Sequence, residues 1–305
     1  MSIKYLKHNK IDFKKWDWCI SRSFNGIAYA YSWYLDIVSE NWDALILGDY
    51  ETVMPLTHSK KMGINYVFQP LYTQQLGVFS ITQLTPKIVS KFIDAIPKEF
   101  KLLNINLNKF NKVENKKYKT VINKTYELDL IEPYDKIYKN FSTNTKRNIK
   151  KAKSNNINII ESVSANELID LIKNNLGQKI KRLNEHHYNN IRKIIAFGIK
   201  HQIGNLIGAY TAQNTLCASA FFLTTNNKSI YLFAASNNEG IESRAMFLLI
   251  DYFIKQNSER NITLDFEGSN IESLARFYSG FNAKKCNYIN VKVNKLPWIL
   301  RLIKT

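Results

Sequence analysis

Three short apolar segments joined by tight turns impose the strongest constraint on how this chain can fold. The segments are Leu206–Thr211, Leu216–Thr224 and Ser229–Ala234, and their connections contain Gln213-Asn214 and Asn226-Asn227. Asn at such short connections is typical of turns that let neighbouring strands pair antiparallel. The pattern therefore predicts an antiparallel β-meander in the C-terminal half of the chain.

Helix and strand patterns alternate after this meander. Apolar residues at helical spacing predict a helix over residues 243–257, followed by a buried strand at 262–266. A helix at 271–279 and a last strand at 285–293 complete the half. The N-terminal half has a similar order, with two helices, a meander, a helix and two strands. We therefore predict a mixed α/β (α+β) fold of two related domains, 1–130 and 131–305, each a mostly antiparallel sheet flanked by helices.

Length and composition support a globular protein and exclude several other classes. The 305 residues are 45% apolar, which is enough to build a core. No apolar run approaches the ~20 residues of a membrane span, and the N-terminus lacks the apolar stretch of a secretory signal. The three cysteines are far apart and form no C-x-x-C pattern, so we expect no disulfide framework, no metal site and a reduced, cytoplasmic protein.

The basic excess is unevenly distributed. The net charge is +18, and residues 101–153 contribute half of it, with 14 Lys and Arg against 5 Asp and Glu. Such a stretch could attract phosphates from RNA, a nucleotide, a CoA tail or an anionic lipid. The alternative, which the sequence favours, is a general bias of the chain toward Lys, Asn and Ile, with the charges simply solvated.

The C-terminal half resembles the GNAT acyltransferase family. Residues 269–283 contain Asn270, an apolar helix ending in Phe277-Tyr278, two further residues and then Phe281-Asn282. This resembles the family's helix after the fifth strand, with Asn282 where Gly is usual. Asn tolerates the left-handed conformation that this helix end requires.

The whole chain further resembles the tandem-GNAT branch related to the Fem-type peptidoglycan aminoacyltransferases. Three segments carry the likeness: 144–152 (NTKRNIKKA), 235–240 (ASNNEG) and 264–269 (LDFEGS). The resemblance implies two GNAT-like domains and acyl transfer to an amine.

The resemblance also bears on the acyl donor. GNAT enzymes hold the CoA pyrophosphate with a Gly-rich loop at a helix N-terminus, whereas Asn237–Ala245 contains one Gly and two Glu. The Fem-type branch uses aminoacyl-tRNA instead and also lacks a clean pyrophosphate loop. Acetyl-CoA or another acyl-CoA and aminoacyl-tRNA are both candidate donors. The corresponding cofactor contacts would be Ser236, Gly240, Ser243, Arg244 and Asn270.

Three side chains are candidates for the acid–base chemistry of acyl transfer. Tyr278 matches the family's general acid, but it also lies on an apolar stripe with Ile271, Leu274 and Ala275, which predicts a core ring. Asp265 and Glu267 alternate with apolar residues in a strand and should point to one face. One of them could serve as base or substrate anchor; an ion pair or a helix cap is the alternative.

Substrate contacts are predicted in three places. Lys146 and Arg147 correspond to a Fem-type motif that faces the acceptor's phosphates, although a solvated basic helix fits the sequence as well. Ser269 follows the acidic strand. A polar loop in the N-terminal half could line a cleft between the halves, or it could be an ordinary connection; its candidate residues are Gln69, Tyr72, Gln74 and Gln75.

Three functional hypotheses follow. The first is an N-acetyltransferase-like enzyme that moves an acyl group from a thioester or ester to a small-molecule or precursor amine. The second is an aminoacyl-tRNA-dependent peptidyltransferase acting on a cell-wall precursor. The third is a binding protein that keeps the fold without turnover.

Overall fold

The computed structural model describes residues 2–114, 118–174, 183–268 and 270–297. The N-terminal part alternates helices with strands, as the sequence pattern predicts. Thr85 caps the third helix through the Ile88 backbone N–H, and Pro86 occupies its first turn. Its elements are β1 (Lys4–Leu6), α1 (Phe13–Arg22), α2 (Ser32–Val38), β2 (Trp42–Leu47), β3 (Thr52–Lys61), β4 (Ile64–Phe68), β5 (Phe79–Ser80), α3 (Pro86–Asp94) and β6 (Phe100–Asn106).

The rest of the chain contains the predicted meander and the helices around it. Ser142 caps α5 by accepting a hydrogen bond from the Thr145 backbone N–H. The elements are β7 (Lys119–Asp129), α4 (Tyr134–Lys139), α5 (Thr143–Ser154), β8 (Asn158–Ile160), α6 (Ala165–Ile172), α7 (Glu185–Lys200), β9 (Gly204–Tyr210), β10 (Leu216–Thr225), β11 (Lys228–Ser236), α8 (Asn238–Glu242), α9 (Ala245–Asn257), β12 (Thr263–Gly268), α10 (Glu272–Gly280) and β13 (Lys284–Asn294).

The predicted helix over 243–257 is interrupted at its start. Arg244 adopts a left-handed conformation with φ of 65°, which separates α8 from α9. A left-handed residue cannot continue a right-handed helix. The chain therefore changes direction immediately before the long buried helix.

Two compact units form, and each contains a mixed sheet. Unit 1 consists of residues 1–124 and 286–305, with strand order β1-β2-β3-β4-β6-β13. Its β4 and β6 are parallel, and β13 runs antiparallel to β6. The predicted division placed residues 286–305 in the second domain, 131–305. In the structure they belong to unit 1, because β13 pairs with β6 from Asn290 to Asn294.

Unit 2 consists of residues 125–285 and has strand order β8-β9-β10-β11-β12-β7. The first four strands pair antiparallel, and β9, β10 and β11 are the predicted meander. Strands β11 and β12 are parallel, and β12 is antiparallel to β7. The succession of strand directions is the same as in unit 1. Helix α9 covers this sheet, and Phe253 stacks on Phe222 with ring centroids 3.7 Å apart.

The membership of β13 in unit 1 gives a stability prediction. Val291 lies opposite Ile105 and is fully buried in the unit 1 core. We expect Val291→Ala to lower the free energy of unfolding by about 2 kcal/mol, because it removes buried methyl groups and leaves a cavity. Denaturant unfolding with hydrogen exchange of the β6 amides measures this. The matched control is Val121→Ala at an exposed position, and an equal effect of both variants would contradict the assignment.

Candidate active site

The backbone of β12 departs from regular alternation between its two carboxylates. Asp265 lies opposite Glu127 of β7, but the three steps from Asp265 to Gly268 match only two steps along β7, from Glu127 to Thr125. Glu267 has φ of 57°, in the left-handed region that side chains other than glycine rarely adopt. The extra residue makes a β-bulge. The strict alternation expected for Asp265 and Glu267 is therefore wrong at this position.

Asp265 is buried and fully engaged as a hydrogen-bond acceptor. Its Oδ1 accepts from the Thr125 hydroxyl at 2.6 Å and from the Glu267 backbone N–H at 3.0 Å. Its Oδ2 accepts from Lys228 Nζ at 3.1 Å. The residue is 2% exposed, so water has little access to this carboxylate. Asp265 is thus the centre of a hydrogen-bond network that reaches the backbone of Glu267.

Lys228 joins the two acidic side chains of the neighbouring strands. Its Nζ lies 2.6 Å from Glu127 Oε1 as well as 3.1 Å from Asp265 Oδ2. Burial opposes the charged ammonium, but the two carboxylates outweigh it and raise the pKa of Lys228 above its ordinary value. Two carboxylates facing each other across paired strands would otherwise repel. Sequence reasoning missed Lys228 and Glu127; the acidic residues in paired apolar strands were the signal that a cation should lie nearby.

The Lys228 cluster should contribute strongly to stability. We expect Lys228→Met to lower the free energy of unfolding by about 3–5 kcal/mol, because it leaves Asp265 and Glu127 buried without their cation. Chemical denaturation measures the change. Lys200→Met, at an exposed helix end, is the matched control and should stay within about 0.5 kcal/mol of wild type. A similar small effect of Lys228→Met would show that the cluster is not stabilising.

The Glu267 carboxyl is suited to exchanging a proton near neutral pH. The side chain is half-buried at the end of β12, and burial raises its pKa to about 8. An unperturbed glutamate has a pKa of about 4.3, so this carboxyl keeps its proton up to a much higher pH than usual. Perturbation of this size is common at functional sites.

The raised pKa of Glu267 predicts how stability depends on pH. Between about pH 4.3 and about pH 8 the folded state binds a proton that the unfolded state has released, so stability falls as pH rises across this window. We expect Glu267→Gln to remove this contribution. Unfolding free energies of both proteins at pH 5 and pH 8 measure it; an unchanged difference between the two pH values in the variant would contradict the assignment.

Tyr278 lies near the end of α10, where the Glu267 carboxyl acts electrostatically on its hydroxyl. Its ring is 7% exposed and stacks on Phe266, with centroids 5.0 Å apart, and Tyr126 and Tyr231 border it at 6.3 and 6.4 Å. Within the described ranges its hydroxyl makes no protein hydrogen bond. Burial, followed by the Glu267 and Asp265 carboxylates, raises the pKa of Tyr278 above its ordinary value. The hydroxyl therefore stays protonated and close to the acidic pair.

The apolar stripe predicted for α10 is only partly buried. Tyr278 belongs to the core, but Ile271 and Leu274 are exposed. The prediction of a continuous buried stripe is wrong for this helix. Tyr126 and Tyr231, which border Tyr278, were not singled out in the sequence, because a tyrosine in a strand gives no signal beyond β propensity.

The segment predicted to bind a CoA pyrophosphate has a different local structure. The side-chain oxygen of Asn237 accepts from the Gly240 backbone N–H at 2.8 Å, and the Asn237 backbone carbonyl accepts from Ile241 at 3.0 Å. A Cβ on Gly240 would lie 2.1 Å from the Cys217 carbonyl oxygen, so close backbone packing requires this glycine. Glu239 is also exposed at this helix start. These groups do not fit a pyrophosphate cradle.

The other predicted cofactor contacts lie around this segment. Ser236 is half-buried at the end of β11, and Arg244 is exposed at its left-handed position. Ser243 is buried, and its hydroxyl donates to the Gly240 carbonyl at 3.4 Å. Asn270 is exposed before α10, and the predicted substrate contact Ser269 lies outside the described residues.

The basic motif at the start of α5 is anchored to the end of α10. The Ser142 backbone N–H donates to the Gly280 carbonyl at 2.8 Å, and Thr145 is buried against Gly280. Lys146 Nζ donates to the Lys139 carbonyl at 2.7 Å, and Arg147 is exposed, with a bond to Asn144. The motif thus places two cations on unit 2 near the C-terminal end of the Tyr278 helix.

The polar loop between β4 and β5 belongs to unit 1. Gln69 accepts from the Asn106 backbone N–H at 2.9 Å, and Gln75 accepts from the Lys109 backbone N–H at 3.0 Å. The Gln75 amide donates to the Gln74 side chain, and the Tyr72 backbone adopts φ of 62°. These polar side chains therefore fix the path of the loop within unit 1, which is the ordinary-connection alternative. Their role in substrate binding stays a prediction.

Solved structures share this architecture. No protein-family model and no curated protein matches the sequence. The crystal structure of FemX aligns over 100% of both chains, with a TM-score of 0.68 and 12% identity. The chain has the fold of FemX. A conserved protein of unknown function from Bacteroides thetaiotaomicron aligns over 93% of this chain and 98% of its own, with a TM-score of 0.58 and 9% identity.

A third structure extends the likeness. The C-terminal domain of a putative lysylphosphatidylglycerol synthetase from Agrobacterium fabrum aligns over 95% of this chain and 94% of its own, with a TM-score of 0.54 and 10% identity. The match to FemX confirms the expectation of a Fem-type fold. In the part of the chain with assigned structure, no helix is long and apolar enough to cross a membrane, and no three metal-ligating side chains cluster.

Proposed function

We propose that the protein is an acyltransferase that moves an activated acyl group to an amine, with the reaction centred on Glu267 and Tyr278. The observation that carries the proposal is the half-buried Glu267 carboxyl, with its pKa near 8, which acts electrostatically on a Tyr278 hydroxyl that stays protonated. A base with a pKa near the working pH and an adjacent acid are what amine acylation needs. The FemX-like fold supports this class of reaction.

The acid and base roles follow from the two environments. Glu267 accepts the proton of the attacking amine, whose nitrogen forms the new C–N bond with the acyl carbon. Tyr278 gives its proton to the leaving atom as the C–O or C–S bond of the donor breaks. Transfer of the proton from Glu267 to Tyr278 restores both groups. Asp265 is not the base in this proposal, because three donors already occupy its carboxylate.

One observation disfavours a CoA thioester as the donor. The N-terminus of α8 is occupied by Asn237 and flanked by Glu239, which disfavours a CoA pyrophosphate. We therefore place aminoacyl-tRNA, implied by the Fem-type resemblance, ahead of acyl-CoA as donor.

The charge distribution is consistent with a nucleic-acid donor. The chain carries a net charge of +18, and Lys146 and Arg147 lie at the α5 start that packs on α10. Phosphate contacts of this type make binding weaken steeply as salt is raised. The proposal therefore expects salt-dependent tRNA binding, with a precursor or small molecule as the amine acceptor.

The test compares acyl transfer from aminoacyl-tRNA and from acetyl-CoA by wild type, Glu267→Gln and Tyr278→Phe. We expect each variant to lose about 10²–10⁴-fold in rate, because each removes one proton-transfer group. The wild-type rate should rise with pH through about 8, as Glu267 ionises. Transfer from aminoacyl-tRNA should exceed transfer from acetyl-CoA.

The matched control is Tyr252→Phe, which removes an exposed hydroxyl bonded to Glu161 and should leave the rate unchanged. Unchanged rates in Glu267→Gln and Tyr278→Phe would remove both residues from the mechanism. Binding of donor without any transfer by wild type would instead favour the binding-protein alternative.

A further inference from the structure

We propose that Asp265, held by Lys228 and Thr125, is a positioning residue that fixes the left-handed backbone of Glu267 and thereby keeps the Glu267 carboxyl in its half-buried position. The proposal rests on the proposed function for its catalytic meaning. Its structural content is independent of that function and can be tested without substrate.

The backbone of Glu267 needs an external partner to keep its conformation. A left-handed φ brings the Cβ of an L-residue close to the following carbonyl oxygen, so a glutamate adopts it only when its surroundings enforce it. The Glu267 N–H donates to Asp265 Oδ1 at 3.0 Å, two residues earlier on the same strand. This bond closes the bulge in which the left-handed residue lies.

The neighbouring strands fix the Asp265 carboxylate itself. Lys228 on β11 binds Oδ2, and Thr125 on β7 donates to Oδ1, the oxygen that also accepts from Glu267. Thr125 is completely buried, and the Lys228 side chain is 15% exposed. Donors on both neighbouring strands therefore fix the orientation of this carboxylate independently of its bond to Glu267.

Because Lys228 has two carboxylate partners, the Asp265 carboxylate can be removed without leaving the Lys228 ammonium unpaired. Lys228 retains Glu127 as a partner at 2.6 Å when Asp265 is replaced. Asp265→Val preserves a strand-forming, buried side chain and deletes the acceptor for the Glu267 N–H. Asp265→Asn keeps an amide oxygen that can still accept this bond, so it serves as the conservative rescue.

The experiment measures the ionisation of Glu267 directly by carbon NMR of protein labelled at the glutamate carboxyl, with Glu267→Gln assigning the signal. We expect the wild-type midpoint near pH 8. In Asp265→Val the midpoint should fall by at least about 1 pH unit toward the ordinary ~4.3, because the released side chain reaches water. Asp265→Asn should stay within about 0.5 of wild type.

Two further measurements keep the result decisive. Asp251→Val removes another buried aspartate of unit 2, one bonded to Tyr134, and should leave the Glu267 midpoint unchanged. In wild type, the Glu267 amide should exchange at least about 100-fold more slowly than in an unstructured chain, a result that stands even where Asp265→Val does not fold.

An unshifted midpoint in folded Asp265→Val, or rapid exchange of the wild-type Glu267 amide, would overturn the positioning role. Failure of the proposed function has a different signature. In that case Glu267→Gln would leave transfer unchanged while the NMR titrations still behaved as expected.

Discussion

The buried ion cluster of unit 2 constrains the register of the three strands that form it. Each strand contributes one charged side chain, and none of these charges could be buried without the others. Lys228 on β11 meets Asp265 on β12 and Glu127 on β7, at 3.1 and 2.6 Å. A buried charge is tolerated only when it is paired and hydrogen-bonded, so these strands have one register in which all three charges are satisfied. The parallel pairing of β11 with β12 and the antiparallel pairing of β12 with β7 meet at this point. Register at the centre of the sheet is thus specified by charge as well as by apolar packing.

Regular structure breaks at the position that carries the proposed chemistry. Immediately after Asp265 a bulge interrupts the pairing of β12 with β7. Within it Glu267 adopts a left-handed conformation that is unfavourable for residues other than glycine. Partial loss of hydration of the half-buried Glu267 carboxyl adds a second cost, seen as its raised pKa. Strained backbone positions cluster at functional sites, and glycine or glutamine at this position would relieve one of the two costs. The aromatic rings of Phe266 and Tyr278 provide the low-polarity surroundings.

Much of this architecture could be predicted from the sequence, because short strands and amphipathic helices carry strong periodic signals. The meander, the long helix against it and the strand before Tyr278 all lie within a few residues of their predicted bounds. What the sequence could not predict depends on neighbours distant along the chain. The bulge needs the β7 partner, and Gly240 is required by the Cys217 carbonyl. The pairing of β13 with β6 joins residues almost two hundred positions apart, which no local pattern reports.

The candidate site shows the same division between local and distant information. Tyr278 and the acidic strand were identifiable from a motif, but their relative roles were not, since Asp265 and Glu267 look equivalent in the sequence. The structure separates them by environment: three donors occupy Asp265, whereas burial dominates Glu267. Acid and base roles are usually assigned from pairs of titratable groups whose surroundings shift their pKa values apart. Under the proposed function, the Glu267 carboxyl, which ionises near neutrality, accepts the proton of the attacking amine, and the Tyr278 phenol protonates the leaving group of the donor.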